Sequence, residues 1–201
     1  MKATKIFSLM LCCMAVLSFT ACIDDDDNNN GPTPEERRAA YQAMQGRYVG
    51  KAIYMQAKPG LGNDRTDTLD VSWQVNTDSV MIVDNFPAAV VAEHIQDAEL
   101  AGQIAQQPAQ RVKLFYALYN VSPVTFLVNP ASITYNVDYN GGKHDVTIAF
   151  YVNSSNSYGV FNSTGKVMEM QIVPGGVYVD HQLKSDLLPS VSPVLLTGKA
   201  Q

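Results

Sequence analysis

The segment Ser132–Val152, SITYNVDYNGGKHDVTIAFYV, carries the clearest structural signal in the chain. Ile133, Tyr135, Val137 and Tyr139 alternate with polar residues, Asn140-Gly141-Gly142 offers a turn, and Val146, Ile148, Phe150 and Val152 alternate back. A period of two places one set of side chains on a buried face and the other in water. Asn-Gly accepts the left-handed backbone that a tight hairpin turn requires. The segment therefore predicts a β-hairpin, and a hairpin with one apolar face needs further antiparallel strands to cover it.

The same period recurs on both sides. In TLDVSWQVN, Thr68–Asn76, the residues Leu69, Val71, Trp73 and Val75 share one face, so Trp73 is expected in the core. Further strands are expected over 48–56, 79–83, 112–119, 167–173 and 177–183. The period changes in two places. Thr33 followed by Glu36 is a capping box and Pro34 suits a first helical turn, which predicts a helix from Pro34 to Gln45 ahead of Gly46. Between Pro87 and Pro108, a helical insertion over 87–107 is expected to form two short helices, with Gly102 weakening the pattern and Asp97 capping the second. The fold class is thus mainly β with helical additions (α+β). One antiparallel sheet would form a sandwich or close into a barrel, within a single domain spanning 34–201. Gly46-Arg47-Tyr48 after a short helix resembles, over those few residues, the start of calycin-type barrels.

The first 21 residues read differently. Lys2 and Lys5 precede the apolar run Ile6–Phe19, which has the length of a signal-peptide core and is short for a membrane span. Thr20-Ala21-Cys22 then resembles the lipobox of bacterial lipoproteins, in which the cysteine is acylated and becomes the new N-terminus. Acyl chains contribute about 0.8 kcal/mol per buried methylene, so a multiply acylated Cys22 would hold the protein on a membrane surface. The alternative is plain secretion with a free Cys22. Asp24, Asp25, Asp26 and Asp27 follow almost at once, and a cysteine with an acidic block behind it resembles the export signal of surface-displayed Bacteroidetes outer-membrane lipoproteins. Like charges followed by Asn28–Pro34 also make a solvated spacer, so 22–33 is read as a tether, with a periplasm-facing anchor as the alternative.

Losing 1–21 removes two lysines and leaves 12 basic against 19 acidic residues, a formal −7, of which four charges sit in the tether. No basic stripe remains, which disfavours nucleic acid as a partner. Cys12 and Cys13 leave with the leader and Cys22 is taken by lipid. That excludes disulfides, thiol catalysis and cysteine–zinc sites from the mature body.

Motifs for chemistry are sparse. The chain has no G-x-S-x-G, P-loop, G-x-G-x-x-G or H-E-x-x-H pattern. His94, His144 and His181 are isolated from one another in sequence, so no metal site and no cofactor are expected. Asp70, Asp138, Asp145, Glu169 and Asp180 are strand-borne carboxylates that could serve a glycoside hydrolase if two faced each other across a cleft. Alternation with apolar residues is also what a solvated sheet face produces. Asp64, Asp67 and Asp70 offer oxygen ligands for calcium without EF-hand spacing. Tyr119 and Tyr151 are the aromatic candidates for ligand contact. Asp67-Thr68-Leu69 and Asp78-Ser79-Val80 resemble the O-glycosylation signal of exported Bacteroidetes proteins.

As a whole, the chain resembles the Bacteroidetes lipoproteins that carry an uncharacterised β-rich domain. The resemblance implies a location and a fold but no activity. The expectation is a non-catalytic binding module for a polysaccharide or an envelope component, with a glycan or an envelope protein as partner, held to the membrane by its N-terminal lipid. The alternatives are a carboxylate-dependent hydrolase, or a periplasmic lipoprotein that is structural or holds a small apolar ligand in a barrel.

Overall fold

The computed structural model describes residues 31–56, 65–190 and 192–201. Helix α1 (Pro34–Met44) opens the domain with a reciprocal capping box: Thr33 N donates to Glu36 Oε2 at 2.8 Å and Glu36 N to Thr33 Oγ1 at 3.3 Å. Eight strands then close an antiparallel barrel: β1 (Gly46–Met55), β2 (Thr66–Val75), β3 (Val80–Phe86), β4 (Gln110–Val121), β5 (Val124–Pro130), β8 (Tyr158–Asn162), β9 (Val167–Ile172) and β12 (Val194–Ala200). Neighbours around the barrel are successive barrel strands in the chain, and β12 closes it by pairing with both β9 and β1. Closure removes the sheet edges that a sandwich would leave. Helices α2 (Ala88–Ala92) and α3 (Ala98–Ala105) lie between β3 and β4.

The decisive hairpin is present as β6 (Ile133–Tyr139) and β7 (Gly142–Phe150), but it is not part of the barrel. It leaves the barrel between β5 and β8 and pairs, through β7, with a second hairpin, β10 (Pro174–Val179) and β11 (Gln182–Leu183), that leaves between β9 and β12. The result is a separate four-stranded sheet in the order β11-β10-β7-β6. Its apolar face, including Ile133, Tyr135, Val137, Val146, Ile148 and Val177, joins the common core with the buried residues of α2 and α3. Phe86 of β3 meets Phe150 of β7 edge to face at 6.2 Å.

One expectation is corrected here. The strand expected over 177–183 is two strands, broken at Asp180 and His181, which both adopt left-handed backbone with φ of 48° and 66°. No extended strand can pass through two such residues. His181 and Asp180 are therefore turn residues. The break in the helical insertion falls at Glu93–Asp97, and Gly102 lies inside α3. Asp97 does cap α3, its Oδ1 accepting from Leu100 N at 2.9 Å.

The barrel interior is filled by the alternating apolar set. Tyr48, Trp73, Met81, Leu114, Phe126 and Met168 are fully buried. Tyr48 and Trp73 stack with centroids 5.5 Å apart and planes 2° from parallel, and Trp73 Nε1 donates to Met168 Sδ at 3.3 Å. An eight-stranded barrel is just wide enough for such packing. Outward positions carry charge: Arg47 pairs with Asp84 at 3.3 Å and Lys51 with Asp70. This polarity is the reverse of a barrel whose outer face meets lipid. No helix among the described residues is long and apolar enough to cross a membrane.

Candidate functional site

Two tight turns lie side by side at one end of the second sheet. Asn140-Gly141 joins β6 to β7 with φ of 49° and 80°, and Asp180-His181 joins β10 to β11. The β7–β10 register sets Val146 opposite Val179, which carries the Asp180 carboxylate onto β7. There its Oδ2 lies 2.7 Å from His144 Nδ1, and its Oδ1 accepts from Asp145 N at 3.0 Å. The backbone N–H of Asp180 returns a bond to Asp145 O at 2.9 Å. Charge-assisted bonds of this kind are stronger than neutral ones. They hold the Asp180 carboxyl below the usual carboxylate range, the His144 bond contributing most and the Asp145 amide next.

Beside this pair stands Tyr139, the last residue of β6. Its ring meets the His144 ring edge to face at 6.1 Å, and its hydroxyl donates to Asp97 Oδ2 at 3.1 Å. Asp97 thus caps α3 with one oxygen and fixes Tyr139 with the other. Desolvation first, and the Asp97 bond second, raise the Tyr139 pKa and keep the phenol protonated. Tyr139, Asn140, His144, Asp180, Gln182, Lys184 and Asp186 line an open groove of about 410 Å³. Volumes of about 300–1,000 Å³ are usual for small-molecule sites. Lys184 Nζ reaches Gln182 Oε1 at 3.4 Å, and among the described residues neither Lys184 nor Asp186 has an ion-pair partner.

The other candidates are dispersed. Of the five carboxylates expected on strands, Asp180 lies in a turn instead, Asp70 pairs with Lys51, Asp138 with Lys143 at 3.1 Å, and Asp145 accepts from Asn136 Nδ2 at 2.8 Å. Glu169 sits half-buried on β9, where burial raises its pKa and a side-chain bond with Thr197 opposes the rise. Only Asp145 and Asp180 of this set are joined, through backbone. His94 lies in the turn after α2, with burial lowering its pKa. Asp67 and Asp70 fall on opposite faces of β2, while Asp64 lies outside the described residues. Among the described residues no group of three His, Cys, Asp or Glu side chains is placed to hold a metal ion. Tyr119 is half-buried on β4 and Tyr151 is 39% exposed just beyond β7; neither lines the groove. Cys22 and Asp24–Asp27 lie outside the described residues.

Tyr139, Lys184 and Asp186 were not singled out by the sequence as ligand contacts. The available signal was local: Tyr139 ends an alternating strand immediately before an Asn-Gly turn, where a side chain stands at the rim of a sheet.

No curated protein and no solved structure matches the chain. Residues 43–179, which include the barrel from β1 to β9 and three of the four strands of the second sheet, match the family model described as a domain of unknown function (DUF4840), and the chain belongs to that family.

Proposed function

We propose that this protein is a non-catalytic binding module, tethered to the outer membrane as a Bacteroidetes-type surface lipoprotein, that takes a polysaccharide or another envelope component in the groove between the two hairpin turns. Cys22 is the lipidated residue and Asp24–Asp27 the export signal in this reading. The observation that carries the binding half is the convergence on one groove of two rings, Tyr139 and His144, with the hydrogen-bonding side chains of Asn140, Gln182, Lys184 and Asp186. Sugars present apolar ring faces and many hydroxyls, and such a mixture of rings and polar groups satisfies both.

The test is calorimetric titration of a panel of neutral glycans into the wild-type protein and into Lys184→Ala/Asp186→Ala. Binding to wild type, weakened at least about tenfold in the variant at unchanged melting temperature, is expected, since each lost bond to a charged group contributes about 1.5–3 kcal/mol. Unchanged affinity would remove the groove from consideration. The hydrolase reading draws on the His144–Asp180 pair, because a carboxylate fixing one imidazole nitrogen is how a histidine base is oriented. Release of new reducing ends during the same titrations would replace the binding-only reading.

Display at the surface is tested on intact cells treated with a protease, with a periplasmic protein as control. Cleavage in wild type that is lost when Asp24–Asp27 are replaced by alanine supports the export signal. Protection in both reduces the acidic block to a spacer.

A further inference from the structure

We infer that a second groove, between α1 and the β2–β3 turn, binds an acidic saccharide by its carboxylate. This groove is about 870 Å³, roughly twice the first, and the two share no lining residue. One wall is the exposed side of α1, with Arg37, Arg38 and Tyr41; the other is the turn Thr77-Asp78-Ser79, with Leu118 of β4.

The walls are held in place before any ligand arrives. Tyr41 donates its hydroxyl across the groove to Asn76 O at 3.3 Å, and Tyr116 anchors the turn from beneath by donating to Thr77 O at 2.9 Å. Asn76 N and Thr77 N both bond to Val80 O, at 3.0 and 3.2 Å. A fixed site spends little binding energy on ordering itself.

The charges assign the ligand. Two arginines on the barrel wall, Arg47 of β1 and Arg111 of β4, share one carboxylate, Asp84, at 3.3 and 4.0 Å. Arg37 and Arg38 are exposed on α1 and, among the described residues, neither guanidinium has a carboxylate partner. Two adjacent free guanidiniums on a groove wall, in a chain of net negative charge, suit a planar carboxylate that can accept paired N–H bonds. Asp78 on the opposite lip, with Oδ1 accepting from Ser79 Oγ at 3.3 Å, would repel a ligand charged along its whole width but can accept sugar hydroxyls. Tyr41 and Leu118 offer apolar surface to a pyranose face between the two lips. An anion on one side, hydroxyls on the other and an apolar ring between them describe a uronic acid unit.

The experiment titrates trisaccharides of galacturonate, glucuronate and mannuronate, and the methyl ester of each, into the full-length protein. It compares wild type, Arg37→Gln/Arg38→Gln, Arg37→Lys/Arg38→Lys and Lys184→Ala/Asp186→Ala. At least one uronate is expected to bind wild type, more weakly as salt rises, with affinity reduced at least about tenfold in the glutamine variant and partly retained in the lysine variant. Its methyl ester should not bind, and the Lys184→Ala/Asp186→Ala variant should bind as wild type does. The inference is overturned if no uronate in the panel binds, if an ester binds as tightly as its acid, if the glutamine variant keeps full affinity while melting normally, or if the loss falls on the Lys184→Ala/Asp186→Ala variant instead. Neutral-glycan binding in the first groove can succeed or fail independently of every one of these outcomes.

Discussion

Asp180 occupies a position that few residues accept. Its φ of 48° is followed by 66° at His181, so two consecutive non-glycine residues adopt left-handed backbone. Aspartate tolerates that region better than most, yet the conformation still costs energy and persists because its surroundings impose it. Those surroundings are the His144 ring and the Asp145 amide, both bonded to the Asp180 carboxylate. The same bonds depress its pKa in the folded state. A depressed carboxyl contributes stability at pH above its unfolded value of about 3.9 and loses that contribution as pH falls through the lower folded value. Asp180→Asn preserves size and an acceptor oxygen but removes the charge. The melting temperature of wild type should therefore exceed that of the variant at about pH 6, and the gap should close as pH falls below the ordinary aspartate range of about 3.9. A gap that stays constant down to acid unfolding would mean that the charge on Asp180 does not stabilise the two turns.

Elements whose signals are local were legible in the sequence, and elements defined by their partners were not. The capping box of α1, the cap at Asp97 and the Asn-Gly turn of β6–β7 each depend on residues within a few positions of one another. Trp73 was legible as core because its neighbours alternate, and it is fully buried. Strands β5, β8 and β12 were missed. In β8 and β12 the inward face carries a glycine where an apolar side chain would mark a strand. A Cβ at Gly198 would stand 2.6 Å from the Trp73 ring, and one at Gly159 would overlap Phe126. The large rings that β2 and β5 send inward occupy the space that β12 and β8 leave empty, so the missing signal on one strand is the counterpart of a strong signal on another. The turn at Asp180-His181 was hidden for a different reason, since it contains neither glycine nor asparagine. The first groove followed the same logic. His144 and Asp180 are 36 residues apart and belong to hairpins that leave the barrel at different connections, so only the β7–β10 register brings them together.

For the molecule as a whole, the barrel depends on a strand beyond the family match. Residues 43–179 end with β10, whereas β12 at Val194–Ala200 pairs with β1 on one side and β9 on the other. Without β12, both neighbours become open edges, and the inward Leu196 and Val194, each 1% exposed or less, leave the core. The loss also uncovers Trp73, since the backbone of Gly198 lies against its ring. Trp73 is the single tryptophan of the chain, so its fluorescence reports on closure without a label. A chain truncated after Val179 is expected to show red-shifted emission, no cooperative melting transition and a tendency to associate through the exposed edges, where the full chain shows blue-shifted emission and a single transition. A truncated chain with blue-shifted emission that melts cooperatively would mean that β1 and β9 can close the barrel on each other, and that β12 reinforces the barrel without being needed to form it.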